Sequence, residues 1–192
     1  MIVPHERPLQ LWLLEGASAI LAYMSRPILI VDYDPNWPTR FHELRDRVAT
    51  VLGDLVVIIE HVGSTSIPGC PAKPIIDMDV VISSLTDLPQ AIARLATLRY
   101  VHEGDLGIPG REAFAAPPDG PPHHLYVCSS QSEQYHRHIL FRDYLRAHPE
   151  EVQAYSTLKQ RLAHQFRHDR DAYSKAKSEF VVMILQCAAQ GI

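Results

Sequence analysis

The segment Glu60–Ile82 reads EHVGSTSIPGCPAKPIIDMDVVI, and it decides the fold of this chain. Its first half is rich in Gly, Ser, Thr and Pro, whereas its second half is apolar and carries Asp77 and Asp79. Side chains at positions i and i+2 of a β-strand point to the same face of a sheet. The segment therefore predicts a small-residue loop followed by a strand whose two carboxylates could share a divalent cation.

The composition is that of one globular domain. The chain has 192 residues, of which 46% are hydrophobic and 21% are charged, and its formal net charge is -4. Because this charge gives no overall basic field, we expect no nucleic-acid partner. Three cysteines lie far apart and form no C-x-x-C pair, which favours a reducing, cytoplasmic location.

Residues 1–27 are interpreted as an N-terminal helical extension. The apolar run Leu9–Ser25 is interrupted by Gln10 and Glu15 and is short for a membrane span, so we expect no membrane partner. An amphipathic or partly buried helix is the favoured interpretation. The core of a signal peptide and a mis-assigned start codon are the alternatives.

The remaining residues, 28–192, divide into strands followed by helices. The stretch 104–122 is rich in Gly and Pro and predicts a loop, and Ser130 and Glu133 form a capping box that opens a helix. The predicted strands cover residues 28–31, 55–62, 75–82, 100–103 and 124–128, and the predicted helices cover 39–52, 88–98, 130–147, a segment from 149 and 171–189. This order favours an α/β (α+β) fold, with a mixed sheet flanked by helices and a helical part from about residue 130.

Several familiar motifs are excluded by the spacing of the loop. A Walker loop has four residues between its glycines, but five separate Gly63 from Gly69, and a cysteine follows. The loop is not G-x-S-x-G, because Thr65 occupies the serine position. H-E-x-x-H is absent, and His136 and His138 are two apart, so they would not converge on one ion from a helix.

The loop and the acidic strand resemble the signature of the DNA polymerase beta-like nucleotidyltransferase superfamily. The matching positions are Val62-Gly63-Ser64 and Ile76-Asp77-Met78-Asp79-Val80. Over about residues 28–188 the chain resembles the GrpB family, which is classed with that superfamily. The blocks that carry this resemblance are VDYDPNWP, EHVGSTSIPG, AKPIIDMDVV, HHLYVC, FRDYLRAHP, Tyr155-x-x-Leu158-Lys159 and Tyr173-x-x-x-Lys177-x-x-Phe180.

The resemblance implies a nucleotidyltransferase-like fold and the transfer of a nucleoside monophosphate from a nucleoside triphosphate to an unknown small molecule or protein. Asp77 and Asp79 would hold Mg²⁺ or Mn²⁺, because paired carboxylates suit a cation that also binds phosphates and waters. Hydroxyls and backbone N–H groups of the loop, together with cationic side chains, would bind phosphate oxygens. These candidates are Gly63, Ser64, Thr65, Ser66, Lys73, Arg111, Arg142, Lys159 and Lys177. Turn-stabilising hydroxyls and solvent-facing cations are the alternative interpretation.

One departure from the superfamily pattern leaves the function open. Active members usually carry a third carboxylate on a later strand, but the corresponding residues His123–Val127 contain no acid. His124 could ligate a metal, act as a general base or be a hydrogen-bonded strand histidine. The alternatives to a transferase are a catalytically degenerate nucleotide- or phosphometabolite-binding module and a folding-accessory or interaction protein. The last would be linked to coenzyme A metabolism only through family fusions to dephospho-CoA kinase, whose P-loop is absent here.

Overall fold

A computed structural model describes residues 27–191 of the chain. The predicted N-terminal helix therefore lies outside the described residues. Within residues 27–191 the strands occur mainly in the first two thirds of the chain and long helices dominate the last third. The structure confirms the predicted fold class, a mixed sheet flanked by helices with a helical C-terminal part.

The centre of the fold is a five-stranded mixed sheet. Its strands are β1 (Val56–Val62), β2 (Ile76–Ile82), β3 (Val101–Gly104), β4 (Arg111–Ala115) and β5 (His123–Ser129). Their order across the sheet is β1-β2-β5-β4-β3, in which β2 and β5 run parallel and every other pair is antiparallel. Since β2 lies between two neighbours and is covered on both faces, it reads as an almost continuous apolar run.

Two helices cover one face of the sheet. They are α1 (Trp37–Leu52), which has a proline in its first turn, and α2 (Leu88–Ala96). Their apolar stripes pack on the side chains of β2 and β5 that point to this face, among them Met78, Val80 and Leu125, which are fully buried. This layer is the main hydrophobic core and carries no predicted site residue.

Four helices form the other layer. They are α3 (Glu133–Ala147), α4 (Pro149–Gln165), α5 (Arg170–Ala176) and α6 (Ser178–Gln190). A second cluster of buried side chains, which includes Leu145, Tyr155 and Ile184, joins α3, α4 and α6 to the loop after β1. Asp77 and Asp79 point to this side of β2, so the helical layer encloses the acidic face of the sheet.

The structure differs from the sequence-based elements in four places. Strand β4 lies inside the predicted loop 104–122, because glycines and prolines frame its five residues. The cap of α3 is Ser132, whose Oγ accepts a hydrogen bond from the Tyr135 backbone N–H, and not Ser130. Lys177 interrupts the predicted helix 171–189 between α5 and α6. Residues 28–31 contribute one isolated bridge, from Val31 to Ala72, in place of a strand.

Candidate functional site

A cavity of about 200 Å³ lies where β2 begins, between the sheet and helices α4 and α5. Seven of the residues predicted from the sequence line it: Ser64, Thr65, Lys73, Asp77, His124, Lys159 and Lys177. They come from five separate segments of the chain, so only the folded molecule brings them together. This convergence makes the cavity the candidate functional site.

Asp77 and His124 form a hydrogen-bonded pair at the floor of this cavity. The parallel register of β2 and β5 places them side by side, and His124 Nδ1 donates to Asp77 Oδ1 over 2.8 Å. Burial opposes ionisation of Asp77, but the hydrogen bond and charge of His124 hold the pKa of this carboxyl below its usual value. Conversely, burial acts to lower the pKa of His124, and the contact with Asp77 outweighs it and raises that pKa.

Asp79 lies deeper and is held by a histidine that the sequence did not single out as a site residue. Its side chain is 1% exposed, and Oδ2 accepts a 2.7 Å hydrogen bond from His138 Nδ1 on α3. Gln134 Nε2 lies 2.8 Å from His138 Nε2, so both ring nitrogens of His138 are hydrogen-bonded. Burial raises the pKa of Asp79 even though the His138 hydrogen bond opposes this shift.

A close backbone approach fixes the position of Asp77. Gly63 has φ +69°, in the region that favours glycine, and a Cβ built at this residue would lie 2.2 Å from Asp77 Oδ2. Glycine is therefore required at position 63, because any side chain there would collide with the Asp77 carboxylate. The sequence placed both residues in one site but gave no indication of this contact.

The hydroxyls of the turn after Gly63 have different environments. Ser66 Oγ donates to the Gly63 carbonyl over 2.6 Å, and buried Thr65 hydrogen-bonds His61 Nε2 over 3.0 Å. Burial lowers the pKa of His61 to about 4, so its ring is neutral at physiological pH. Ser64 lines the cavity and its side chain hydrogen-bonds Tyr155. Of these hydroxyls, that of Ser64 is the best placed for a ligand, whereas those of Thr65 and Ser66 stabilise the turn.

Three lysines give the cavity a surplus of positive charge over Asp77. Lys73 Nζ and Lys177 Nζ each lie 4.6 Å from the centroid of the Tyr173 ring. Lys159 is 2% exposed and donates to Cys70 Sγ over 3.1 Å and to the Pro71 carbonyl. Burial, followed by the charges of the other two lysines, lowers the pKa of Lys177 to about 8.

Tyr173 is a core residue, with 1% of its surface exposed. Its ring also orders two of the three lysines, since a cation near an aromatic face is attracted to it. The four-residue spacing from Tyr173 to Lys177 was the available signal for this role.

Two predicted arginines lie outside the cavity. Arg142, on α3, binds Glu60 and Asp143 and donates to the His61 carbonyl over 3.0 Å. It lines a second cavity of about 370 Å³ on the other side of the turn. Arg111, on β4, stacks 4.1 Å from the centroid of the Tyr126 ring, towards the Asp79 end of the acidic pair. Their predicted role in phosphate binding stays a prediction.

The two carboxylates fit a hard cation that takes few ligands from the protein. Among residues 27–191 no group of three or more His, Cys, Asp and Glu side chains could hold a metal ion. However, Asp79 Oδ1 is a buried carboxylate oxygen without a hydrogen-bond partner on the face that it shares with Asp77. Mg²⁺ suits such a donor set, because it completes its octahedron with waters and phosphate oxygens.

Comparison with known sequences identifies relatives over most of the chain. The family model "GrpB protein" matches residues 27–187. The glutamate-rich protein GrpB of Alkalihalophilus pseudofirmus is 36% identical over 163 residues, which are 82% of this chain and 94% of that protein. The UPF0157 protein YqkA of Bacillus subtilis is 36% identical over 164 residues, 85% of this chain but 48% of YqkA, so the chain spans about half the length of that relative.

A third relative carries an enzyme name. A dephospho-CoA kinase of Mycolicibacterium paratuberculosis is 28% identical over 178 residues, which are 79% of this chain and 43% of that protein. The chain therefore spans less than half of that protein's length.

Solved structures show the same architecture. The crystal structure of conserved protein GrpB from Enterococcus faecalis superposes with a TM-score of 0.78 at 29% identity, covering 85% of this chain and 98% of that one. A chain in the GLD-2/RNP-8 complex has a TM-score of 0.52 at 16% identity, over 89% of this chain and 64% of that one. At 16% identity this second likeness concerns the fold alone. Separately, none of the helices within residues 27–191 has the length and apolar character needed to cross a membrane.

Proposed function

Because the chain belongs to the GrpB family and its cavity brings lysines to an aspartate pair, we propose that it is a Mg²⁺-dependent nucleotidyltransferase. It would move a nucleoside monophosphate from a nucleoside triphosphate to a hydroxyl-bearing small molecule or protein. One observation carries the proposal: the floor of a lysine-lined cavity is formed by Asp77, whose strand neighbour Asp79 keeps an unpaired, buried carboxylate oxygen. Free thiols at Cys70, Cys128 and Cys187 support a reducing, cytoplasmic setting for this activity.

The lysine cavity is proposed to bind the phosphate chain. Lys73, Lys159 and Lys177 line the same cavity as one carboxylate, that of Asp77, so a polyphosphate would neutralise the surplus of positive charge. The cavity is smaller than the roughly 300–1,000 Å³ of typical ligand pockets, so the base and sugar would lie at its opening. Binding of an anion would also favour the protonated form of Lys177.

His124 is proposed as the general base. Asp77 accepts a hydrogen bond from Nδ1 and thereby orients the ring, which leaves Nε2 to take the proton of the acceptor hydroxyl. The hydroxyl oxygen would then form a bond to the α-phosphorus while the bond to the bridging α,β-oxygen breaks and pyrophosphate leaves. Mg²⁺ held by Asp77 and Asp79 would supply charge stabilisation for the phosphate oxygens.

Calorimetry and pyrophosphate release test this proposal. Titration of each nucleoside triphosphate with Mg²⁺ into wild type, Asp77→Asn and Asp79→Asn should show Mg²⁺-dependent binding that both substitutions weaken. A panel of hydroxyl acceptors should then release pyrophosphate only with the wild-type protein. Equal binding in all three proteins, with no pyrophosphate from any acceptor, would refute the proposal.

A binding module without catalysis is the second candidate, and the strand next to β2 favours it. The position beside Asp77 on β5 is His124, and no acid occurs in that strand. Such a module would bind nucleotide or phosphometabolite and be stabilised by it, but would release no pyrophosphate. Metal-dependent turnover would exclude it.

A further inference from the structure

Arg111 is the first residue of β4 and occupies an unusual position for an arginine. It is 9% exposed, and its guanidinium lies over the ring of Tyr126, with 4.1 Å between the guanidinium carbon and the ring centroid. Stacking on an aromatic ring holds the plane of the guanidinium but does not use its N–H donors in the way a carboxylate would. The Tyr126 ring therefore orients the Arg111 guanidinium and leaves N–H donors available to a ligand.

The Nε of the Arg111 guanidinium has no hydrogen-bond acceptor within residues 27–191. This nitrogen is buried, and the positive charge of Arg111 acts to lower the pKa of Asp79 without a hydrogen bond to Nε. By contrast, Arg142 on α3 binds two carboxylates. Since a buried charged donor without an acceptor is costly, an anionic ligand is the natural partner of Arg111.

A second unpaired atom lies in the same part of the sheet. Asp79 Oδ1 is also buried without a partner, and Tyr126 stands beside Asp79 in the parallel register of β2 and β5. Tyr126 is partly exposed, so solvent reaches this end of the acidic pair. Two buried polar atoms without partners, Arg111 Nε and Asp79 Oδ1, therefore lie near Tyr126, where the protein is accessible to solvent.

This region is separate from the lysine cavity. The lysines cluster at Asp77, near the start of β2, whereas Arg111 pairs with Cys128 in the register, level with Val81 beyond Asp79. A molecule bound at Arg111 and one bound at the lysines would therefore approach the acidic pair from opposite ends.

We propose that Arg111, positioned by Tyr126, binds an oxyanion of the acceptor substrate, either a phosphate monoester or a carboxylate. The acceptor would then be an anionic, hydroxyl-bearing small molecule, held so that its hydroxyl reaches the Asp77–Asp79 pair. The planar fork of a guanidinium matches both kinds of oxyanion. The identity of this ligand as an acceptor substrate rests on the proposed function. Binding of an oxyanion at Arg111 does not require catalysis.

Nuclear magnetic resonance of the arginine side chains tests the oxyanion site directly. Protein labelled with ¹⁵N-arginine is titrated with inorganic phosphate and, separately, with acetate, and the Nε–Hε signal of Arg111 is followed. The signal is assigned by its absence in Arg111→Lys. Arg161, an exposed arginine on α4, is the internal control. Lys177→Gln is titrated in parallel to report on the lysine cavity.

The proposal expects a saturable shift of the Arg111 signal, no such shift of Arg161, and an unchanged response of Arg111 in Lys177→Gln. Tighter binding of phosphate assigns a phosphate monoester to the acceptor, and tighter binding of acetate assigns a carboxylate. An Arg111 signal that does not saturate, or that shifts no more than that of Arg161, overturns the proposal. So does loss of the response in Lys177→Gln, because the two regions would then be one site.

Kinetics separate this inference from the proposed function. Where pyrophosphate release is found, Arg111→Gln should raise KM for the anionic acceptor about tenfold or more and leave KM for the nucleotide within about twofold. The exposed change Arg161→Gln should alter neither constant. Saturable binding at Arg111 without any pyrophosphate release would support the oxyanion site while refuting the transferase.

Discussion

At the scale of single residues, Gly63 links the backbone of the turn to the chemistry of the cavity. A Cβ at this position would overlap Asp77 Oδ2 at 2.2 Å. We expect Gly63→Ala to destabilise the protein by about 1–3 kcal/mol, because φ is positive there, and to weaken Mg²⁺-nucleotide binding by displacing Asp77. Urea unfolding and calorimetry measure the two effects.

Gly69 provides a matched control for this prediction. Its φ is +74°, but a Cβ there would meet nothing within 4 Å. Gly69→Ala should therefore lower the free energy of unfolding, because φ is positive there, and leave nucleotide binding unchanged. If both variants bind nucleotide equally well, the contact between Gly63 and Asp77 has no role in the site.

Lys177 should make both the stability of the protein and its affinity for nucleotide depend on pH. Burial and the charges of Lys73 and Lys159 lower its pKa from 10.5 to about 8. Between these two values the unfolded chain binds more protons than the native one, so stability should rise as the pH is raised through this window. Nucleotide affinity should fall over the same range, because the cavity loses a positive charge.

The variant Lys177→Met should remove both pH effects, as measured by urea unfolding and nucleotide titration below pH 8 and above it. Exposed Lys175 lies two residues away, at the end of α5, and Lys175→Met is the control. An affinity profile that is the same in wild type and Lys177→Met would show that Lys177 does not face the bound phosphates.

At the scale of elements, helix α3 holds the acidic face of the sheet through His138. This ring is the hydrogen-bond partner of Asp79, whose other oxygen has none among the described residues. His138→Leu should cost about 1–3 kcal/mol at neutral pH, since it leaves a buried carboxylate without its donor. In a double-mutant cycle with Asp79→Asn, the two changes should be coupled by about 0.5–3 kcal/mol.

The control for His138 lies on the same helix. His136 is exposed, and His136→Leu should change the free energy of unfolding little. Equal destabilisation by the two substitutions, or additivity with Asp79→Asn, would show that the His138–Asp79 hydrogen bond does not stabilise the fold.

Elements also show how far the sequence predicts this fold. The strands before and after the loop, 55–62 and 75–82, were predicted closely, because β-branched and apolar runs are framed by Gly and Pro. Strand β4 was missed, since Arg111–Ala115 has no alternation of its own and is stabilised by pairing with its neighbours. Arg111 was therefore taken for a loop arginine, although the sheet holds it over Tyr126.

At the scale of the whole molecule, the parallel pairing of β2 and β5 creates the site. It joins residues 47 positions apart, Asp77 and His124, through a long crossover that local sequence patterns do not encode. The sequence could name both residues as candidates, but their contact needs the register. His138 was not singled out because the two histidines of this helix were considered only as joint ligands of one metal ion. A hydrogen bond from His138 to the facing strand β2 was not considered.

The same topology predicts how a ligand should act on the entire fold. The cavity takes Asp77 and His124 from the sheet and Lys159, Tyr173 and Lys177 from the helical layer, so a bound nucleotide would connect both layers. At one hundred times its Kd, Mg²⁺-nucleotide should add about 2.7 kcal/mol to the free energy of unfolding. For a protein of this size that raises Tm by roughly 5–11 °C.

Scanning calorimetry should show one cooperative transition moving to higher temperature, and the shift should shrink in Asp77→Asn or when the metal is chelated. A shift that is indifferent to both would mean that the nucleotide binds outside the acidic pair.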